Sequence, residues 1–243
     1  MKHYKILLAL TVIVLIVAGD YVISQYVSYS GYQKEFEAKY DSLGIYRIPE
    51  YHELLKQKGK LTSLGIMAQD DSVGLYLNLP EMEAGLMIKG LMVRSIPIQE
   101  ITMSRLFRTA SDEALYRWLS EPLQVVAEMA TIPKEPINVV MAPSDTTSEP
   151  SAIVPDTSSV APVCFIWETD RDLRLFFYQT EENAGVSAFI RQERWQEIKE
   201  AMRQMLAFRV PDYNPVIRIG LNREAAKALY RAIPRNGKIV ITL

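Results

Sequence analysis

The sequence predicts an α+β protein: an N-terminal transmembrane helix, then one mixed α/β extracytoplasmic domain with a disordered internal loop. Three observations carry this expectation. A cationic start with Lys2 and Lys5 gives way to an unbroken apolar run from Ile6 to Ala18. Strand-like apolar segments bounded by turn residues recur from Ser72 onward. The chain closes on a strand–helix–strand pattern between Pro215 and Leu243.

The first segment has two readings. A cleaved signal peptide needs a charged start, a short apolar run and a small-residue cleavage site, for which Val17-Ala18-Gly19 would serve. An uncleaved anchor needs about 20 mostly apolar residues, so it must extend to Val27 across Asp20. A carboxylate costs less near an interface than at the bilayer centre, and Tyr21, Tyr26, Tyr29 and Tyr32 follow where an aromatic belt is expected. The anchor is favoured: residues 1–27 are expected to form a cytoplasmic stub and a span through the bilayer at 6–27. Lys2 and Lys5 place the N-terminus in the cytoplasm, which makes this a single-pass inner-membrane protein with its C-terminal domain outside.

Residues 28–60 read as a juxtamembrane helical region. Only Gly19 and Gly31 interrupt helical composition between Lys5 and Tyr40, so one long helix is expected to end near Leu43-Gly44. Tyr29, Tyr32, Phe36 and Tyr40 form one stripe at spacings of three and four, suited to packing on the domain. Pro49 opens a short helix with Tyr51, Leu54 and Leu55 on its apolar face.

Residues 61–141 form the first β-rich part. Ser72–Leu79 reads as a strand and Pro80–Glu83 as a turn. Gly85–Arg94 reads as a second strand bulged at Gly90, and Pro97 marks an edge or bend. Ser111 caps a helix over Asp112–Leu119, with two acids in its first turn. Residues 123–130 are ambiguous, and Ile137–Met141 reads as a strand. Residues 142–162, rich in Pro, Ser, Thr and Asp, cannot bury enough apolar surface to offset ordering entropy and form the disordered loop.

The second α+β part spans 163–243. Val163–Gln179 reads as a hairpin around Thr169–Asp172. Ser187–Ala207 reads as a helix packing through Ile190, Arg194, Ile198, Met202 and Met205, with Trp195, Ala201 and Leu206 beside them. Asn222 caps the next helix, and Pro234–Gly237 turns the chain into the last strand.

Little here carries chemistry. The chain has one cysteine and two histidines in 243 residues, and its 11 glycines form no phosphate-binding loop. Cys164 sits in an apolar strand, which suits a small buried hydrophobe. A histidine-based site would rest on His52, because His3 precedes the apolar run. Asp70 and Asp71 are adjacent and splay apart if extended. No catalytic, metal-ligating or cofactor-binding residue is assigned, and no cofactor or nucleic-acid partner is expected. A hydrolase or transferase hidden in this sequence would need a pocket of convergent carboxylates or an exposed Cys164. The net charge of −2 is uneven: Val186–Leu243 holds 11 Lys/Arg against 5 Asp/Glu. That excess suits either an anionic polymer or lipid, or helix faces that balance the acidic half of the same fold.

The run Ile217-Arg218-Ile219-Gly220-Leu221-Asn222 through Pro234, followed by a closing strand, resembles the C-terminal end of the L,D-transpeptidase (YkuD-like) catalytic domain. Leu75–Ile98 resembles that domain's opening hairpin. The resemblance covers about fifty residues, and the family's His and Cys would fall near Asn214 and Val216, which supply neither base nor thiol. It implies a non-catalytic relative. The expected function is a membrane-anchored interaction or scaffold protein of the cell envelope, with an envelope protein or a second copy as partner; the alternative is a wall-polymer or lipid-associated binding module.

Overall fold

Two facts organise the fold: the strands turn residues such as Leu75, Phe165, Phe177 and Ile239 into one apolar core, and the first and last strands pair. In the computed structural model, residues 2–40, 49–134, 161–181 and 184–243 are described. The expected helix end near Leu43-Gly44, the strand at Ile137–Met141 and all but the last two residues of the 142–162 loop lie outside the described residues.

The elements run α1 (Lys2–Tyr40), α2 (Pro49–Ala68), β1 (Val73–Asn78), β2 (Glu83–Ile88), β3 (Leu91–Pro97), β4 (Glu100–Met103), α3 (Leu106–Thr109), α4 (Asp112–Trp118) and β5 (Leu123–Ala130). They continue with β6 (Cys164–Thr169), β7 (Arg174–Gln179), α5 (Ala184–Leu206), β8 (Val216–Leu221), α6 (Arg223–Ala232) and β9 (Lys238–Thr242). The strands form one nine-stranded mixed sheet in the order β3-β2-β1-β9-β5-β6-β7-β8-β4. The last strand lies parallel to the first, with Leu75 opposite Ile239, and β5 pairs with β9 through Leu123 and Gln124 before crossing to β6.

The two edge strands, β3 and β4, are consecutive in the chain. Between them, Ile98 N donates to Met82 O at 2.7 Å and Gln99 N to Gly220 O at 2.9 Å. The sheet therefore closes on itself through two residues. Inside lie Trp118, Trp167, Phe165, Phe177, Leu75 and Leu77, all at most 1 % exposed.

Ser111 caps α4 as its sequence indicates, its hydroxyl accepting from Ala114 N at 3.3 Å, and Asn222 caps α6 by accepting from Ala225 N at 2.7 Å. The helix opened by Pro49 is longer than expected, at 20 residues. Its small residues allow close docking on the end of α4: Ser63 Oγ donates to Ser120 O at 2.9 Å, and a Cβ on Gly59 would stand 3.3 Å from the Ser120 backbone. The single bulged strand expected over Gly85–Arg94 is instead a hairpin, β2–β3. Lys89 and Gly90 both take positive φ, 51° and 75°, the geometry of a tight turn whose twist matches its flanking strands. The register irregularity lies earlier, between Leu86 and Met87.

The N-terminal segment requires a correction. Among the described residues no helix is long and apolar enough to cross a membrane. This overturns the transmembrane anchor over 6–27, and with it the single-pass inner-membrane placement. The uninterrupted apolar run, Ile6–Ala18, spans only about 20 Å at 1.5 Å per residue, against a hydrocarbon core of about 30 Å. Beyond it comes the exposed Asp20, and from Tyr21 onward one face of α1 belongs to the domain: Tyr21, Ser24 and Gln25 are half-buried, Ser28 and Tyr29 buried.

The aromatic stripe packs on its own domain. Phe36, 4 % exposed, meets Trp118 edge-on at 5.2 Å, and Tyr29 and Tyr32 each lie 5.2 Å from Tyr213. The Tyr29 and Thr109 hydroxyls are hydrogen-bonded, and the Arg105 guanidinium stands over the Tyr29 ring at 4.9 Å.

Replacing Gly90 by Ala forces a Cβ into left-handed backbone and to within 3.0 Å of the Ala68 Cβ; urea unfolding should show a loss of about 1–2 kcal/mol. Deleting residues 238–243 removes the strand between β1 and β5, and circular dichroism and unfolding curves should show no cooperative transition.

Candidate functional site

A parallel strand pair needs a crossover connection, and α5 is the crossover between β7 and β8, lying across the outer face of the sheet. On that face β6, β7 and β8 present their outward residues: Glu168 stands opposite Arg174 in the β6–β7 register, and Arg174 opposite Val216 in the parallel β7–β8 register. α1 forms the facing wall. Between the walls runs an open groove of about 500 Å³.

Arg174 organises the floor. Its guanidinium reaches Glu193 at 2.5 Å, Glu197 at 2.9 Å and Glu168 at 3.3 Å. Its Nε ion pair with Glu168 lacks hydrogen-bond geometry, so that nitrogen makes no hydrogen bond. Glu193 and Glu197 lie four residues apart on α5, which brings both carboxylates to one face of the helix. Glu200 and Asp212 also line the groove, and Arg218 adds a second guanidinium. Five carboxylates against two cations make the groove acidic, and Arg218 forms no ion pair among the described residues.

The groove's far end is held by the loop after α5. The helix stops at Leu206, with Phe208 in the left-handed region at φ 55°. Gln204 then clasps Asp212: its Oε1 accepts from Asp212 N at 3.0 Å and its Nε2 donates to Asp212 Oδ2 at 3.2 Å. That clasp brings Tyr213 to α1.

The underside of α5 differs from the apolar face expected of it. Ala201 is buried and Ile190, Ile198 and Met205 are half-buried, but Arg194, Trp195, Met202 and Leu206 are exposed. The helix sits on the groove through Glu193, Glu197, Ala201 and Gln204. The Glu193/Glu197 pair following a hairpin arginine was the available sequence signal, and an apolar periodicity search passes over it.

Other singled-out residues scatter. Cys164 is fully buried, and burial pushes its thiol up to about 12. His52 lies on α2 beside Tyr51, and His3 lies in the first turn of α1. Asp70 pairs with Lys238 at 2.8 Å and Asp71 with Lys89 at 3.0 Å; the Lys238 hydrogen bond holds the Asp70 carboxyl well below the usual carboxylate range. Asn214 and Val216 both line the groove. The C-terminal cations divide among partners: Lys238 takes Asp70, Arg235 takes Glu128 at 3.4 Å, and Arg203 takes Glu200 at 3.2 Å.

Carboxylates do converge in this chain, as a hidden hydrolase would require, but they converge on a guanidinium. Among the described residues the groove lining holds no Ser, Thr, Cys, His or Lys.

Replacing Arg174 with Met leaves Glu193 and Glu197 facing each other without a counter-charge. Urea unfolding should show a loss of about 1–3 kcal/mol, towards the lower end because Glu197 and Glu168 reach solvent. Arg203→Gln, which breaks an exposed pair, should lie within about 0.5 kcal/mol of the parent. A thiol reagent should label Cys164 only on global unfolding, with a labelling rate that follows denaturant concentration as unfolding does.

Comparison of the chain with protein-family models, with curated proteins and with solved structures finds no match.

Proposed function

We propose that this protein is a non-catalytic interaction module that receives a basic segment of a partner protein along the groove between α1 and α5. The observation that carries the reading is the acidic lining of the groove: the carboxylates of Glu168, Glu193, Glu197, Glu200 and Asp212 stand against the guanidinium groups of Arg174 and Arg218. The acidic floor sets the sign of the partner and speeds its approach at low salt.

A second reading has one placement in its favour. Asn214 and Val216, near which the catalytic His and Cys would fall if the chain is a degenerate L,D-transpeptidase-like domain, both line this groove. On that reading the groove holds a wall polymer without turning it over.

The test places a photoreactive amino acid at Gln196, an exposed residue that lines the groove, in the full chain, with a control probe at Glu224 on α6. Illumination in the native host should give one adduct of defined mass from position 196 and none from 224. The double reversal Glu193→Lys, Glu200→Lys should reduce that adduct at least about tenfold, and raised salt should weaken it. An adduct insensitive to both changes would sink the proposal. Co-sedimentation with insoluble peptidoglycan that survives the charge reversal would favour the second reading.

A further inference from the structure

A second cleft, sharing no residue with the groove, has a different chemistry. It holds about 230 Å³ between the C-terminal turns of α1, the end of α4 and the β6–β7 turn. Tyr32, Phe36 and Tyr40 line it from one side and Trp118 from another. Tyr32 lies nearly parallel to Phe36, at 19°; Tyr40 is tilted 49° to it, and Trp118 stands at 88°. Phe36 and Trp118 are 4 % and 1 % exposed and belong to the core, so the half-buried Tyr32 and Tyr40 are the rings that offer the cleft most surface. Glu35, Asp170 and Asp172 bring carboxylates to it, and both aspartates are exposed on the turn. The interior is aromatic and the rim anionic.

Two cations also line the cleft, and their commitments differ. Arg171 is engaged elsewhere: one guanidinium nitrogen donates to Trp118 O, and another pairs with Glu121 at 2.9 Å. Lys39 forms no ion pair among the described residues. Its ammonium stands 5.1 Å from the centre of the Tyr40 ring, within the range of cation–π attraction. The chain's own lysine thus marks one ring as a seat for an ammonium group. Asp172 is held with φ at 60°, a conformation that costs energy for a residue with a side chain. Burial, then the Asp172 charge, raises the Tyr32 hydroxyl above the ordinary tyrosine range, so its ring stays neutral.

We propose that this cleft binds a quaternary ammonium group, with the Tyr32 and Tyr40 rings against the cation and the carboxylates of Asp172 and Glu35 at the rim. A weakly hydrated cation loses little on entering an aromatic interior, whereas a primary ammonium must give up strong hydration. Recognition of quaternary ammonium by aromatic cages follows that logic. The cleft is smaller than sites for drug-sized ligands, which suits a headgroup. That group is carried by choline-like small molecules and by trimethylated lysine side chains.

Calorimetric titration of the full chain tests this with choline, a trimethyllysine peptide, its unmethylated counterpart, and 3,3-dimethylbutanol, the neutral shape analogue of choline. Choline or the trimethylated peptide should bind at least about tenfold more tightly than its uncharged or unmethylated control. Whichever binds tighter identifies the source. Tyr40→Ala should weaken binding about tenfold and Asp172→Asn about threefold, while Tyr40→Phe, which keeps the ring, should leave it unchanged. Lys39→Ala should strengthen binding by removing the internal competitor. Unfolding curves for each variant separate loss of the site from loss of the fold. Equal affinity for charged and neutral probes, or undiminished binding by a folded Tyr40→Ala protein, overturns the proposal.

Discussion

Two residues, Ile98 and Gln99, hold the sheet closed. Their amides bond in opposite directions, one to the β1–β2 turn and the other to β8, so one run of chain serves as both edges of a nine-stranded sheet. The two bonds extend the β2–β3 and β4–β8 ladders until they meet, which shortens the unpaired backbone that makes an edge strand a liability. Closure also defines an interior, and the bulky aromatics Trp118, Trp167, Phe165 and Phe177 fill it. The protection is incomplete at the start of β3, where Leu91, Met92 and Val93 remain exposed. The other strands fill the ring between these edges, with β9, the last of them in sequence, lying between β1 and β5.

The groove follows from the same closure. With the inward positions of β6, β7 and β8 committed to the core, the outward ones are Ile166, Glu168, Arg174, Phe176, Val216 and Arg218. A crossover helix laid over that surface meets charge as well as apolar area. The underside of α5 answers with carboxylates, and its larger apolar residues turn to solvent. A helix packed on a purely apolar sheet face would have hidden Trp195 and Met202. This one leaves them displayed because Arg174 is better matched by Glu193 and Glu197.

Much of the fold was legible in the sequence, and the failures have physical causes. The caps at Ser111 and Asn222, the 163–179 hairpin and the closing strand–helix–strand each depend on residues within a few positions of one another, and local chemistry decides them. The hairpin at Lys89-Gly90 was missed because Lys is an uncommon occupant of left-handed backbone, which left the glycine looking like a bulge. Residues 123–130 were ambiguous because β5 serves two neighbours and alternates weakly. The sheet order was out of reach, since pairings such as Leu75 with Ile239 join positions far apart in the chain. The membrane span was over-read: hydropathy counted Val22, Ile23 and Val27 towards its length without registering that Tyr21, Gln25 and Tyr29 on the same turns face the domain. The site itself left one signal, two glutamates at helical spacing after a hairpin arginine, and only the three-dimensional register makes it a cluster.

The docking of α1 ties the two clefts together. Tyr29 and Tyr32 meet Tyr213, at the end of the groove, while Phe36 and Tyr40 border the aromatic cleft. Tyr32 contacts Tyr213 and also lines the aromatic cleft, so it belongs to both environments. The helix is one rigid element over this stretch, and its position is fixed by aromatic contacts, the Tyr29–Thr109 hydrogen bond and Gln33, whose Nε2 donates to Thr109 O at 3.3 Å. A shift that opened the groove by moving α1 off Tyr213 would carry Tyr32 with it and alter the ring arrangement of the cleft. An occupant that moved α1 at one place would thus alter the other, and by linkage the effect would be returned in equal measure.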